Sequence, residues 1–281
     1  MTRRRTMSAA TSLLISVVLV GAAACTADQP AATRSATPSA PATPTVTAPP
    51  PAIPPQHACY DLDFAAAAAP TSAAAPVPCN VRHTAATFHV GTIRPVVDGH
   101  LLAVDSHGVQ QQVASRCRSR FAAYVGGDEE TRRLSRLTVV WFTPSLSDSD
   151  RGALWFRCDL VALAGRDQLA VLPRALRNVL AAPGALDRYG TCGTSSPAAA
   201  GFQRVICSAR HTWRARATIA LPAGAKYLGK AAGAAASSAC HDVEARLAGD
   251  TLRLRWSFEW PTREQWQAGQ RFGYCWTPDP A

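Results

Sequence analysis

The sequence lacks the compact motifs that a chain with nine cysteines and seven histidines could carry. No two cysteines stand two to four residues apart, although this spacing is usual in structural zinc sites and in redox-active C-x-x-C motifs. The catalytic signatures G-x-S-x-G, H-E-x-x-H and S-x-x-K are absent as well. We therefore expect a protein that is not an enzyme and that holds neither a metal nor a cofactor, and the sequence identifies no small-molecule substrate.

Lysine is almost absent, since Lys226 and Lys230 are the only two, and the net charge of +10 rests on arginine. Removal of the first 24 residues, which carry three arginines and no acidic residue, leaves a charge of +7. The arginine excess is typical of the alanine-rich and arginine-rich proteins of GC-rich genomes. The functional alternative is attraction to anionic wall polymers or lipid headgroups. Because no basic run is present, we expect no binding to nucleic acid.

A membrane-spanning apolar run is also missing. The apolar stretch at 13–24 has about a dozen residues, against the ~20 needed to cross a bilayer. Three arginines precede it and small residues lead to Cys25, so residues 1–25 are predicted to be a secretory signal peptide. Cys25 is the predicted lipidation site, because setting it aside leaves eight cysteines, the even number expected of an exported protein. Ordinary cleavage before Cys25 and export by the general or the twin-arginine route remain alternatives.

Residues 26–56 are rich in proline, alanine and threonine and offer little apolar surface to bury. Such a segment is predicted to be a disordered linker with extended, polyproline-like conformations. Together with the lipidation site, it predicts a folded part that is anchored in the membrane by lipid and held away from its extracytoplasmic face.

An internal repeat organises the rest of the chain. The stretch CNVRHT at 79–84 returns as CSARHT at 207–212, each with a histidine four residues after a cysteine. In both copies a helical stretch with another cysteine follows, and the last cysteine stands 14 residues after a proline. Matches in the same order predict a tandem duplication, with modules at 57–165 and 186–281.

Each module is predicted to be α+β, a small antiparallel sheet with one packed helix. In the first module, Val109, Val113 and Cys117 recur every four residues and form one face of an amphipathic helix. Gly126 and Gly249 each stand nine residues after a helix cysteine, as C-cap glycines would. The strand-like runs that follow the two helices are LTVVWF at 137–142 and LRLRWSFEW at 252–260.

The eight remaining cysteines are predicted to form two disulfide bonds per module, although a zinc site and a catalytic thiol are alternatives. Four cysteines allow three connectivities in each module, and we favour sequential pairing. The first bond of each module then joins neighbouring strands, and the second joins the helix to the last strand. The pairs are Cys59–Cys79, Cys117–Cys158, Cys192–Cys207 and Cys240–Cys275.

The repeated histidines, His83 and His211, are predicted to order the strand that follows by hydrogen bonding to a loop carbonyl or a carboxylate. The alternative is a recognition site, for which Trp266 is a third candidate. The other histidines have no counterpart between the modules and are expected on the surface or in loops. The segment 105–108 is expected to form a turn, as is Asp98 with its neighbours.

The pattern V-P-C-x-x-x-H, a helix with a cysteine, and then P-x4-W-x2-G-x-R-x3-C resembles the actinobacterial septum formation domain. The resemblance is clearest at Pro261, Trp266, Gly269, Arg271 and Cys275, and it covers nearly all of the predicted folded part. It implies an exported or membrane-attached module that often occurs twice in a chain and is linked to cell division.

Three positions depart from the family pattern. The first module has Ser149 where the family has the loop tryptophan that Trp266 supplies in the second. Arg82 and Arg210 precede the histidines where the family commonly has proline. Ala86 and Arg214 stand where it commonly has an acidic residue. We expect an envelope lipoprotein that binds or scaffolds a wall polymer or a division protein, the alternatives being a hydrolase of wall or polysaccharide and a structural spacer.

Overall fold

The computed structural model describes residues 49, 51–221, 224, 226–229, 231–247 and 254–279, and the described residues belong to one compact unit. The predicted signal peptide with Cys25 and most of the predicted linker lie outside the described residues, as does Gly249. Among the residues described, no helix combines the length and the apolar character needed to cross a membrane.

The first half of the folded part is built on an antiparallel sheet. Its strands are β1 (Cys59–Tyr60), β2 (Ala85–Thr92), β5 (Leu137–Phe142), β6 (Trp155–Gly165) and β7 (Gln168–Leu169), with a separate hairpin of β3 (Val96–Val97) and β4 (His100–Leu101). Its helices are α1 (Phe64–Ala68), α2 (His107–Val125), α3 (Glu129–Leu134) and α4 (Leu146–Asp150). The strand order is β1-β2-β6-β5, and β7 pairs with the end of β6.

The second half follows a 3₁₀ turn at Val179–Ala181 and has its own antiparallel sheet. Its strands are β8 (Thr191–Gly193), β9 (Arg204–Ile206), β10 (Trp213–Ala220), β11 (Ser257–Glu259) and β12 (Phe272–Pro278). Its helices are α5 (Ala185–Tyr189), α6 (Ala231–Leu247) and α7 (Arg263–Gln267). The strand order is β11-β12-β10-β8-β9.

The two sheets have the same topology. The order β1-β2-β6-β5 of the first corresponds strand for strand to β8-β10-β12-β11 of the second. Both central pairs also carry an irregularity at the same point, between Thr87 and His89 in β2 and between Ala215 and Ala217 in β10. Because β-bulges sit at particular places in a fold, this shared position supports the duplication. The α+β class, with antiparallel sheets and packed helices, is confirmed.

Helix α2 forms as its apolar spacing predicts, with Val109, Val113 and Cys117 fully buried. Ser106 caps its first turn by accepting a hydrogen bond from the backbone N–H of Val109, and Gly126 ends it at a φ of 73°, a left-handed conformation that suits glycine. The turn expected at 105–108 is present only in its first half: the backbone N–H of Ser106 donates to the carbonyl of Ala103, and His107 and the glycine after it already belong to the helix.

The four disulfide bonds are the sequential pairs. Cys117–Cys158 joins α2 to β6, and Cys240–Cys275 joins α6 to β12, so each long helix is fastened to its own sheet. The other two bonds fasten β1 and β8 to the cysteine of the repeated motif.

Two further expectations needed correction. The run at 252–260 has a strand only at Ser257–Glu259, with no regular structure at 254–256 and with 252–253 outside the described residues. His89 is partly buried in β2 rather than lying in a loop, with its ring edge-on to Phe156, whereas His241 is exposed on α6, as expected of a surface residue.

The core of the first module contains a buried ion pair. Nε of Arg157 lies 3.0 Å from Oδ2 of Asp159, and Thr87 donates a hydrogen bond to the other carboxylate oxygen at 2.7 Å. The guanidinium also lies over the rings of Tyr60 and Phe142, 3.8 and 4.5 Å from their centroids. Burial raises the pKa of Asp159 to about 6, although the charge of Arg157 acts in the opposite direction.

Candidate functional site at the seam between the modules

The repeated histidine motif has the same local geometry in both modules. Nδ1 of His83 lies 2.8 Å from the carbonyl oxygen of Val81, and Nδ1 of His211 lies 2.7 Å from that of Ala209. The threonine after each histidine donates a hydrogen bond to a carbonyl just after β1 or β8. The motif thus ties its own loop to the first strand of the sheet, an arrangement that suits a structural role.

The second ring nitrogen distinguishes the two histidines. Nε2 of His83 is buried and has no hydrogen-bond partner in the described part of the chain. Nε2 of His211 lies 3.3 Å from Oδ2 of Asp279, the residue after β12. A histidine–carboxylate pair therefore exists in the second module, although the position where the family commonly has an acid holds Arg214. No sequence pattern marks this pair, because 68 residues separate the partners.

Asp279 is the centre of a charged network. Arg214 and Arg216 both bind its carboxylate, the second at 3.0 Å, and Arg214 also reaches Asp187 of α5 at 2.9 Å. Burial raises the pKa of Asp279, but hydrogen bonding from Arg214 and the charges of both arginines outweigh it and lower the pKa below 3.8.

Among the described residues, one cluster brings possible metal ligands close together: side-chain atoms of Cys192, His211 and Asp279 lie within 4.8 Å of one another. Cys192 is bonded to Cys207, however, and a disulfide sulfur is not the thiolate that binds a metal. The carboxylate is already held by two arginines. The cluster therefore does not fit a metal ion.

The two modules meet at a seam made of direct hydrogen bonds. The carboxylate of Glu130, in α3, accepts from both the backbone N–H and the hydroxyl of Thr218, in β10. The hydroxyl of Tyr274 donates to the carbonyl of Arg133 at 3.1 Å. The backbone N–H of Arg136 donates to the carbonyl of Tyr189 at 2.6 Å.

A groove of about 270 Å³ opens beside this seam. The first module contributes one wall and the second module, at its edge strand β9, contributes the other. The lining residues are Arg136, Gly165, Arg166, Phe202, Gln203 and Arg204.

The arginines of this groove are held differently. Nε of Arg136 donates to the carbonyl of Leu163 at 3.0 Å and Nη2 to that of Gly165 at 3.4 Å. Arg204 forms an ion pair with Glu259, with Nη2 and Oε1 2.7 Å apart. Burial and then the neighbouring charge of Arg204 lower the pKa of Arg136 to about 10, so it remains protonated at neutral pH.

Comparison with known families gives a match to the septum formation family over residues 56–275. The chain belongs to the septum formation family. The match runs through both modules and the segment between them, and it includes every residue of the seam groove. No curated protein and no solved structure matches the chain.

In this septum formation protein, the three candidate recognition residues do not line the groove. Trp266 lies in α7, where the guanidinium of Arg271 stacks 4.1 Å from the centroid of its ring and Tyr227 meets it edge-on at 6.0 Å. His83 is buried. The groove arginines were missed in the sequence because nothing distinguishes them from the other arginines of an arginine-rich chain.

Proposed function

We propose that this septum formation protein is an exported envelope lipoprotein, anchored through Cys25, that binds or scaffolds a component of the cell wall or of the division machinery without catalysing a reaction. Membership of the family supports a role in cell division or the envelope. Four disulfide bonds support folding in an oxidising compartment outside the cytoplasm.

The observation that carries the proposal is the seam. The modules are joined through Glu130 and Thr218, and a groove with walls from both modules lies beside the joint. A groove shared between docked modules is a common place for a binding site. A spacer has no need for such a surface, whereas a protein that recognises a partner does.

The candidate catalytic groups support a non-catalytic role. All eight cysteines of the two modules are paired, which leaves no thiol nucleophile among them. Glu259, a candidate acid for a hydrolase, is occupied by Arg204 and by the indole N–H of Trp276 at 3.1 Å. Asp148, another candidate, pairs with Arg151 on the surface.

The test is site-specific photo-crosslinking of the full chain in growing cells. A photoreactive residue replaces Gln203, an exposed residue of the groove. We expect it to capture a discrete envelope component, because the groove is the proposed contact surface. The matched control places the same residue at Gln111, which is exposed on α2 and does not line the groove.

Capture from position 203 alone supports the proposal. If neither position yields more than a chain cut to residues 1–56, the spacer alternative is favoured and the binding role is rejected. Purified full chain is also incubated with wall material. Release of soluble fragments that Glu259→Gln abolishes would establish the hydrolase alternative instead.

A further inference from the structure

The seam groove carries an excess of positive charge. Arg136, Arg166 and Arg204 line it; Glu259 forms a direct ion pair with Arg204, and its charge also acts on Arg136 without contacting it. Within the described ranges, no carboxylate lies within 4.0 Å of the guanidinium of Arg136 or Arg166. Three guanidinium groups therefore share the charge of Glu259 at one opening, which leaves a net positive charge beside the partly buried Arg136 unless an anion joins it.

Hydrogen-bond donors remain available in the groove. Arg136 donates to the protein through Nε and Nη2, and no acceptor in the described part of the chain is assigned to its Nη1. Arg166 is exposed, and its side chain forms no hydrogen bond with the described part of the chain. The carbonyls that hold Arg136 fix the direction of its remaining N–H groups, so this donor is positioned before any ligand arrives.

The geometry favours a phosphate over a carboxylate. Arg136 and Arg166 belong to one wall and Arg204 to the other, so an anion between them must present oxygens in more than one plane. A tetrahedral phosphate does so, whereas a carboxylate is planar. The volume of about 270 Å³ is slightly below the ~300–1,000 Å³ of sites for drug-sized ligands, which suits a small group carried on a larger molecule.

We propose that the seam groove binds the phosphodiester group of an anionic envelope molecule through Arg136, Arg166 and Arg204. This deepens, and rests on, the proposed binding role in the envelope. The phosphodiester belongs either to a soluble wall polymer or to a lipid headgroup, and the recognising chemistry is the same for both.

The test measures binding of two probes by the purified full chain at 0.15 M salt, about the physiological ionic strength. One probe is a soluble oligomer of glycerol phosphate, and the other is vesicles of phosphatidylcholine with phosphatidylglycerol. Arg166→Gln is expected to weaken binding about tenfold, because it removes a charge-assisted hydrogen bond. Arg120→Gln is the matched control: it removes the same charge from an exposed position of α2 outside the groove, and we expect a change of less than about twofold.

Gln203→Glu is the second variant, and it leaves every arginine in place. It puts a negative charge at the exposed rim of the groove and is expected to weaken binding as Arg166→Gln does. Near-ultraviolet circular dichroism checks that each variant keeps its fold. Loss with both groove variants and retention with Arg120→Gln supports the site. The probe that shows this pattern identifies the source of the phosphodiester.

Three results would overturn the inference: no binding of either probe, equal weakening by Arg120→Gln and Arg166→Gln, or equal affinity for polyglutamate. None of them decides the proposed function, because photo-crosslinking in cells reports a partner of any chemistry. Conversely, phosphodiester binding in vitro without a crosslink in cells would retain the site and reject the envelope role.

Discussion

In the second module, the carboxylate of Asp279 determines the surroundings of the histidine of the repeated motif. Asp279 binds Arg214 and Arg216 and lies beside His211, so both ring nitrogens of this histidine have partners within the protein. The first module has no such arrangement, since Nε2 of His83 is buried without a partner in the described chain. The two copies of the motif share the geometry of their loop but not the surroundings of the histidine ring.

Asp279→Asn is expected to destabilise the protein by about 1–3 kcal/mol at neutral pH, because charge-assisted hydrogen bonds to two arginines are lost. The lowered pKa sets the pH dependence. Stability from Asp279 is present above its ordinary value of 3.8 and is lost as pH falls through the lower value in the folded state. The gap between wild type and variant should therefore close below about pH 4. Urea unfolding across this pH range measures it.

Asp150→Asn is the matched control for this experiment. Asp150 is an exposed carboxylate at the end of α4, outside the network, and its replacement should change the free energy of unfolding by less than about 0.5 kcal/mol. A gap that stays constant down to pH 3, or one that the control variant reproduces, would contradict the assignment.

At the scale of secondary-structure elements, the sequence predicted those features that depend on residues close to one another in the chain. The sequence predicted the helix α2 from its four-residue apolar spacing, the strand β5, and the C-cap at Gly126. Each of these features depends on neighbours within a few residues. The sequence did not predict the contact between Glu130 and Thr218 or the contact between His211 and Asp279. Their partners stand 88 and 68 residues apart, and no periodicity connects them.

The two copies of the sheet are packed differently at equivalent positions. Arg157 of β6 pairs with Phe142 across the sheet, and the corresponding Tyr274 of β12 pairs with Glu259. The first module thus buries a cation against aromatic rings, whereas the second places an aromatic ring opposite an acid. At these positions the copies share the strand pairing but not the side chains, so the role of a side chain in one copy did not predict its role in the other.

The disulfide bonds are expected to differ in how much each contributes to the free energy of unfolding. Replacing Cys117 and Cys158 together by alanine is expected to cost about 4 kcal/mol, because the bond closes a separation of 41 residues. The same replacement of Cys59 and Cys79, separated by 20 residues, is expected to cost about 3 kcal/mol. The difference should be widened by packing, since both members of the helix–strand pair are fully buried. Free energies of unfolding in urea give the comparison.

The second module supplies an independent repetition of this experiment. Its helix–strand pair, Cys240–Cys275, closes 35 residues and its short pair, Cys192–Cys207, closes 15. The helix–strand bond should again be the more important of the two. A larger loss from the short bond in both modules would show that loop closure and burial do not govern these disulfides.

For the molecule as a whole, the seam makes two modules behave as one. The main apolar cluster of the first module includes Tyr189 and Ile206 from the second, and a cluster of the second includes Leu134 from the first, so each module contributes to the core of the other. Sharing a core couples the unfolding of the parts that share it. Thermal unfolding of wild type should therefore give a single transition by calorimetry.

Glu130→Ala tests this coupling directly. It removes a charged acceptor of two hydrogen bonds across the seam, which should cost about 2–3 kcal/mol and broaden or split the thermal transition. The amide of Thr218 loses its acceptor, so its hydrogen exchange should accelerate at least about tenfold, whereas amides within α2 change little. Glu129→Ala is the control one residue away: Glu129 pairs with Arg133 on the surface of α3, and losing that pair should cost less than about 1 kcal/mol without changing exchange at Thr218. If the two variants exchange alike at Thr218, the carboxylate of Glu130 does not hold the modules together.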